Sequence, residues 1–331
     1  MLLLLYVDDI ILTGNQPELL SSFVTTLNKD FELSDLGGLS YFLGLEAKPT
    51  STGLRLSQTK YTMDLLHRHS MTACQPCTTP VCATSQLSHL QGDLLPDGTE
   101  YRQIVGALQY LTFTSPDIAY AVHHVAQFMS APRTSHLIAA KRILRYLKGT
   151  PDFGLSFRRS SSPLTLCAYS DADWDGCPDT RRSTTGICVF LGPNLISWCA
   201  KKQQAVSRSS AEAEYRSLAH ACADTIWISY LLTELQFSPP RPIILLCDNL
   251  STTYMASNPV FHARTKHIEL DYHYIRQYLL FGAHRVQFTP SPDQIADIFT
   301  KGLSRQRFDL LRSNLVSPGS SDLRGSAKSP N

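Results

Sequence analysis

What most constrains this chain is the order of its apolar runs beyond residue 163. Leu164–Ser170, Gly186–Leu191 and Leu195–Ala200 are each short enough for a strand and are bounded by polar residues. A helical pattern covers about Ser210–Leu235, followed by a strand at Ile243–Cys247 and a short helix from Ser251. Another helix is expected over about Thr265–Phe281, then a strand at Arg285–Thr289 and a last helix over about Asp293–Lys301. Three strands, a helix, a strand, helices, a strand and a helix predict an α/β domain on a mixed sheet.

The preceding half reads differently. Met1–Gly14 holds two apolar runs around Val7-Asp8-Asp9, a hairpin with two carboxylates at its tip. Leu19, Leu20, Phe23 and Leu27 give Glu18–Lys29 helical spacing, and strands are expected at Tyr41–Leu45 and Gly53–Leu56 around a Pro-Thr-Ser-Thr turn. Residues 75–100, rich in Pro, Ser, Thr and Gly, suit an extended connection. Three helices follow, over Tyr101–Phe113, Pro116–Met129 and Ser135–Lys148. In the last of them Lys141, Arg145 and Lys148 share a face with Arg142 beside them, a surface able to track a phosphate backbone or simply to be solvated. The break at Ser160–Pro163 divides the chain into 1–100, 101–160 and 161–313, with a Ser/Gly/Pro/Lys-rich tail over 314–331 expected to be disordered.

Composition narrows the class. At 331 residues and 43% apolar content the chain has length for about two domains of about 150 residues and enough apolar surface for real cores. Its longest apolar run, Met1–Tyr6, is far short of a membrane span and lacks the flanks of a signal peptide. Nine cysteines, an odd number thinly spread, point to a reducing compartment rather than a disulfide framework. No targeting signal decides between cytoplasm and nucleus, and nothing sets the oligomeric state. The net charge of +2 resolves into −6 over residues 1–100, +6 over 101–159 and +2 beyond. Basic stretches for phosphates beside acidic clusters for metal are what a nuclease or polymerase fragment carries.

Four acidic residues stand where an element ends or a helix meets the sheet: Asp171 after the first strand of the second half, Asp248 after Ile-Ile-Leu-Leu-Cys, Glu214 in the first turns of the long helix and Asp297 in the last helix. Open α/β sheets bind ligands at the carboxyl ends of their strands, so Asp171 and Asp248 can share one crevice. Carboxylates meeting at a point call for a hard divalent cation, Mg²⁺ or Mn²⁺, and two such ions suit phosphodiester hydrolysis. Taken singly, each Asp is an ordinary turn or cap residue.

Longer stretches carry a family resemblance. Tyr6-Val-Asp-Asp9 between apolar strands resembles the catalytic hairpin of reverse transcriptases. Asp35–Gly44, Leu56–Tyr61, Val105–Leu111, Arg145–Thr150, Arg181–Gly186, Val206–Tyr215, Arg264–Glu269 and Gln294–Lys301 resemble, in order, the polyprotein of copia-type LTR retrotransposons. The likeness reaches about residue 313. It implies a ribonuclease H-like mixed five-stranded sheet with helices, preceded by a truncated reverse-transcriptase palm and a helical, thumb-like segment. It implies Asp171, Glu214, Asp248 and Asp297 as the catalytic, metal-binding set, Mg²⁺ or Mn²⁺ as cofactor (two ions), and an RNA–DNA hybrid as partner, with no membrane and no small-molecule cofactor. The apolar stripe of the long helix leaves Glu212 and Glu214 both near its edges, so periodicity does not separate them; the family pattern, with a bulky residue after the glutamate, favours Glu214. Asp173 is the alternative to Asp171.

Asp8 and Asp9 are expected to be a polymerase remnant without polymerase activity, since no upstream strand supplies a third carboxylate. Lys141, Arg142, Arg145, Lys148, Arg181 and Arg182 are the candidate nucleic-acid contacts. Cys74-Gln-Pro-Cys77, with Cys82, His67 and His69 nearby, lacks the second pair of a structural zinc site. His262, His267 and His273 can contact nucleic acid or be merely solvated. The activity implied is Mg²⁺-dependent hydrolysis of the RNA strand of hybrids; the alternative is a non-catalytic retrotransposon relic that at most binds nucleic acid.

Overall fold

The computed structural model describes residues 1–84, 86–161, 163–258 and 268–319. The chain opens on an antiparallel hairpin, β1 (Leu2–Tyr6) and β2 (Asp9–Thr13), with Tyr6 facing Asp9 across the turn and no buried residue in either strand. The helix α1 (Pro17–Leu27) starts with proline at its first position, where a missing N–H costs no helical bond. β3 (Tyr41–Phe42), β4 (Leu45–Thr50) and β5 (Gly53–Ser57) form an antiparallel meander leading into α2 (Thr59–Arg68). The turn expected at Pro49–Thr52 is shorter, because β4 continues through Pro49. β3 pairs only with Leu45 and Glu46, so β4 is an edge strand at Pro49 and loses no bond there.

After an irregular connection, the three expected helices follow as α3 (Thr99–Leu111), α4 (Ala119–Ala126, preceded by a 3₁₀ turn at Pro116–Ile118) and α5 (Thr134–Gly149). A strand absent from the sequence reading, β6 (Gly154–Arg158), then returns to β5 and completes the first sheet.

The second half contains β7 (Leu166–Asp173), β8 (Thr184–Leu191), β9 (Asn194–Lys202), α6 (Ser210–Glu234), β10 (Ile243–Cys247), α7 (Leu250–Ser257), α8 (Glu269–Leu280), β11 (His284–Phe288) and α9 (Arg305–Arg312). Its sheet has the order β11-β10-β7-β8-β9; β7, β8 and β9 run antiparallel, and β10 lies parallel to both β7 and β11. This is the mixed five-stranded sheet expected. Two expectations need correction. The last helix, over Asp293–Lys301, is instead two 3₁₀ turns, Ser291–Asp293 and Ile295–Phe299, because the Gln294 side chain accepts from the Ala296 N–H at 3.2 Å and interrupts the helical ladder. The tail expected to be disordered from residue 314 is ordered through Gly319: Leu315 and Val316 are buried, and Ser317 exchanges backbone hydrogen bonds with Gly154 at 3.0 and 3.2 Å. Apolar side chains at 315 and 316 outweigh the polar composition of the segment.

Strand alternation explains how the halves join. Leu166, Ala168, Ile187 and Val189 point to one face of the sheet and pack with Tyr215, Leu218 and Cys222 of α6 and Tyr272 and Ile275 of α8. Cys188 and Phe190 point to the other face, in one buried cluster with Leu108 and Leu111 of α3, Val122 of α4, Leu144 of α5, and Phe299. The Trp198 indole donates to the Thr112 carbonyl at 3.1 Å, and the Lys202 N–H to His123 Nε2 at 3.1 Å, tying β9 to the helices. The helical segment is therefore the second cover of the sheet, and the core runs across the break at Ser160–Pro163.

Candidate active site

Asp171 and Asp248 meet because of register. Ser170 lies opposite Cys247 in the parallel β7–β10 pair, so the next residue of each chain emerges at the same sheet end. The Asp171 carbonyl accepts from Ser217 Oγ at 2.8 Å, fixing β7 to α6 one turn beyond Glu214. Opposite Asp171 on β8 stands Gly186. A Cβ there would come within 2.8 Å of the Ala296 carbonyl and 3.0 Å of the Phe299 side chain, so glycine lets the Ile295–Phe299 turn lie directly on the sheet. That close approach delivers Asp297, Thr300 and Lys301 to Asp171.

The two neighbouring glutamates take different roles. Ser209 Oγ accepts from the Glu212 N–H at 3.2 Å, and Glu212 reaches back to the Arg208 N–H at 2.7 Å while pairing with Arg216 at 3.0 Å. Glu212 is thus a helix-start residue, and Ser209-x-x-Glu212 is the sequence signal that separates the pair. Glu214 turns instead toward Asp171 and Asp248. Burial, then the charges of Asp171 and Asp248, push its carboxyl up to about 10. Asp171 is pushed up to about 6 by burial, with Lys301 acting against that and Asp297 adding to it.

Polar neighbours hold these carboxylates in place. Thr300 Oγ1 donates to Asp171 Oδ2. Ser291 Oγ donates to Asp248 Oδ2 at 2.8 Å, and Gln294 Nε2 reaches Asp248 Oδ1 at 3.5 Å and the Ser170 carbonyl at 2.9 Å. Lys301 Nζ stands 2.7 Å from Asp297 Oδ1 and 3.6 Å from Asp171 Oδ2, and Arg307 Nη2 is 3.2 Å from Asp297 Oδ2. Burial works against the Lys301 charge, but Asp171 and Asp297 outweigh it and raise the ammonium. Sequence reasoning missed Ser291, Gln294, Thr300 and Lys301 as site residues, having placed 293–301 on one helix.

Ligand atoms of Glu214, Cys247 and Asp248 lie within 4.8 Å of one another, the one group of three metal-binding side chains found among the described residues. Burial and the adjacent Glu214 raise the Cys247 thiol well above its ordinary value, so it stays a neutral S–H. The donors left are carboxylate oxygens, a set that fits a hard divalent ion. Asp173, the alternative to Asp171, lies at the last position of β7, its carboxyl raised by burial; Asp171, Asp173 and Asp297 all lie outside that group of three, and of them it is Asp171 whose charge acts on Glu214.

The other candidates are dispersed. Asp8 and Asp9 lie on the exposed β1–β2 hairpin. The basic face of α5, expected to track phosphates, is engaged by neighbouring segments although Arg145 stays exposed: Arg145 Nε donates to the Gln75 carbonyl at 2.8 Å, Arg142 Nη2 to Thr79 Oγ1 at 2.9 Å, and Lys141 pairs with Glu100 of α3 at 2.9 Å. The irregular 74–79 stretch has backbone acceptors to satisfy, and α5 supplies the donors. Lys148 is half-buried at the end of the same helix. The Cys77 thiol lies 3.4 and 3.3 Å from the Thr79 and Arg142 carbonyls. Arg181 pairs with Asp175, and Arg182 beside it is exposed. His273 lies 4.0 Å from Glu269 on α8, while His262 and His267 fall outside the described residues.

Comparison with known proteins places this geometry in context. Residues 1–83 match the family described as reverse transcriptase (RNA-dependent DNA polymerase). The chain is 51% identical over 313 residues, 95% of its length, to the retrovirus-related Pol polyprotein from transposon RE1 of Arabidopsis thaliana, and spans 21% of that polyprotein. It is 49% identical over 229 residues to an uncharacterised mitochondrial protein of the same plant, covering 69% of this chain and 95% of that one. Among solved structures, the N-terminal ribonuclease H domain of a Mycobacterium tuberculosis protein is similar at 15% identity with a TM-score of 0.32, covering 45% of this chain and 97% of that domain. With half its residues shared along nearly its whole length, the chain belongs to the copia-type retrotransposon Pol polyprotein family.

Proposed function

We propose that this chain is a divalent-metal-dependent ribonuclease that cuts the RNA strand of RNA–DNA hybrids, working as the nuclease part of a retrotransposon polyprotein. The observation that carries the reading is the convergence of Asp171, Glu214 and Asp248 at one end of the sheet, with Glu214 pushed up to about 10 by burial and by the other two. Such mutual repulsion is relieved by a cation, and Glu214 and Asp248, with Asp171 beside them, are the residues that would hold Mg²⁺ or Mn²⁺. When bound, the metal supplies Lewis acidity for water activation and for the leaving 3′ oxygen.

The chain's own residues do the rest. Ser291 and Gln294 orient Asp248, Thr300 orients Asp171, and Gly186 lets the Asp297 turn close on both. Selection of a hybrid would rest on minor-groove shape and the 2′-OH rather than base edges. Arg182, exposed in the β7–β8 loop, is the phosphate contact this reading favours, with Arg181 beside it. No polymerase role is proposed for Asp8 and Asp9, which lie on the exposed β1–β2 hairpin.

Asp171→Asn and Asp248→Asn are each expected to abolish Mg²⁺-dependent cleavage of a labelled hybrid while leaving its binding at low salt intact. Near-wild-type turnover in either variant, or cleavage that survives EDTA, overturns the reading.

A further inference from the structure

The carboxylate cluster has two unlike halves. In one, Asp171 and Asp297 face each other across the Lys301 ammonium, 3.6 and 2.7 Å away, and Arg307 holds the second oxygen of Asp297 at 3.2 Å. Two negative charges there already meet two positive ones. In the other half no ion pair to Glu214 or Asp248 occurs among the described residues: Glu214 meets the Cys247 thiol at 3.9 Å and the like charges of Asp171 and Asp248, and Asp248 takes Ser291 Oγ at 2.8 Å and Gln294 Nε2 at 3.5 Å. Lys301 is no chance visitor. It lies four residues beyond Asp297, its backbone N–H reaches the Asp297 carbonyl at 3.4 Å, and the turn carrying both is seated on the sheet at Gly186.

We infer that Lys301 is a tethered cation occupying the Asp171–Asp297 half of the site, so that the free protein takes a single divalent ion, at the Glu214–Asp248 half. A second ion enters only when the Lys301 side chain, partly open to solvent, moves away. The inference rests on the proposed metal site and specifies its loading. Lys301 acts here as a positioning residue: it keeps Asp171 and Asp297 together before substrate arrives and sets the order in which cations enter. A divalent ion entering beside a fixed ammonium meets like charge, and coordinate bonds to Asp297 compete with its ion pair; both effects disappear with the Lys301 charge.

The test is a count of bound Mn²⁺, read from the loss of the free-ion electron paramagnetic resonance signal, on the full chain without nucleic acid. Wild type and Lys301→Arg are expected to bind one ion tightly. Lys301→Gln is expected to bind two, the second at least about tenfold more tightly than in wild type. In EDTA, Lys301→Gln should melt below wild type, since Asp171 and Asp297 are left to repel, and added Mn²⁺ should raise its melting temperature by more than it raises wild type's. Identical isotherms for wild type and Lys301→Gln, or two equally tight ions in wild type, overturn the inference. Asp248→Asn separates the two readings. If it removes the ion while Lys301→Gln changes nothing, only the tethered-cation assignment fails. If Mn²⁺ binding ignores Asp248→Asn, the metal site itself fails and takes the assignment with it.

Discussion

Glu212 and Glu214 sit two positions apart on the same helix, yet one closes the helix start and the other faces two aspartates. Their substitutions should therefore diverge. Glu214→Gln removes a group whose ionised form is opposed by burial and like charge, so metal-free stability is expected to hold or rise while Mn²⁺ binding is lost. Glu212→Gln breaks a partly buried pair with Arg216 and is expected to cost about 1–2 kcal/mol in urea melts with metal binding retained. The opposite pattern would exchange the two assignments. Asp248 was placed from sequence just past the end of its strand, where open sheets place ligands; Asp171 was expected there too, but β7 runs on to Asp173 and it is only the pairing with β10 that ends at Ser170. Lys301 was not legible, because its position depends on the Gln294 side chain interrupting a helix and on a glycine opposite Asp171, neither of which is a local periodicity.

At the scale of elements, the strands and helices of the second half were legible because Ile243–Cys247 and the alternating runs of β7 and β8 are buried and strongly patterned. β6, α2 and α9 were missed for one shared reason: they are short, polar on one side, and stabilised by partners distant in sequence. β6 pairs with β5 across about a hundred residues, and α9 reads Arg-Gln-Arg-Phe-Asp-Leu-Leu-Arg with only Phe308 and Leu311 buried. Placement of a titratable group at an element start gives a pH prediction. His284 opens β11, is buried, and shares a hydrogen bond with Thr225 Oγ1 at 3.0 Å. Burial, then Arg241, hold its imidazole down at about 4, so folding favours the neutral ring. That stability is complete above the ordinary histidine value of about 6.5 and drains away as pH falls toward 4. Between pH 7 and 5, His284 should account for about 1–2 kcal/mol of lost stability. His123 and His124, also held at about 4 by burial, add to the same acid limb. Urea titrations at the two pH values test this: His284→Gln should flatten the slope, and an unchanged slope would show the ring is not buried neutral.

For the whole molecule, the decisive fact is that one sheet is covered on both faces by different parts of the chain. A fragment comprising residues 161–319 would expose Cys188, Phe190, Leu195 and Phe299 along a face that α3, α4 and α5 cover in the full chain. Such a fragment is expected to aggregate or bind hydrophobic dyes, whereas one that begins near residue 40, and so keeps β3–β5 and the buried Leu65 and Leu66 of α2, should fold cooperatively. A monomeric, cooperatively melting 161–319 fragment would show that the second half is self-sufficient. None of this joining was visible in the sequence, where the basic, helical middle reads as a segment of its own.

The strap formed by Ser317 and Pro318 has a consequence for the order of events in synthesis. Arg55, itself buried, donates to the Pro318 carbonyl at 2.5 Å across 263 residues, and Ser317 bridges to Gly154 at the far edge of the first sheet. A ribosome delivers Arg55 and its other acceptor, the Asp152 carbonyl, long before Pro318, so the nascent chain carries a guanidinium with one of its two acceptors missing and a sheet margin still open to any passing strand. Closing so wide a loop is slow relative to local pairing. The window between making β6 and releasing residue 318 is thus when this protein is most exposed to mispairing, and chaperone capture during translation should concentrate there.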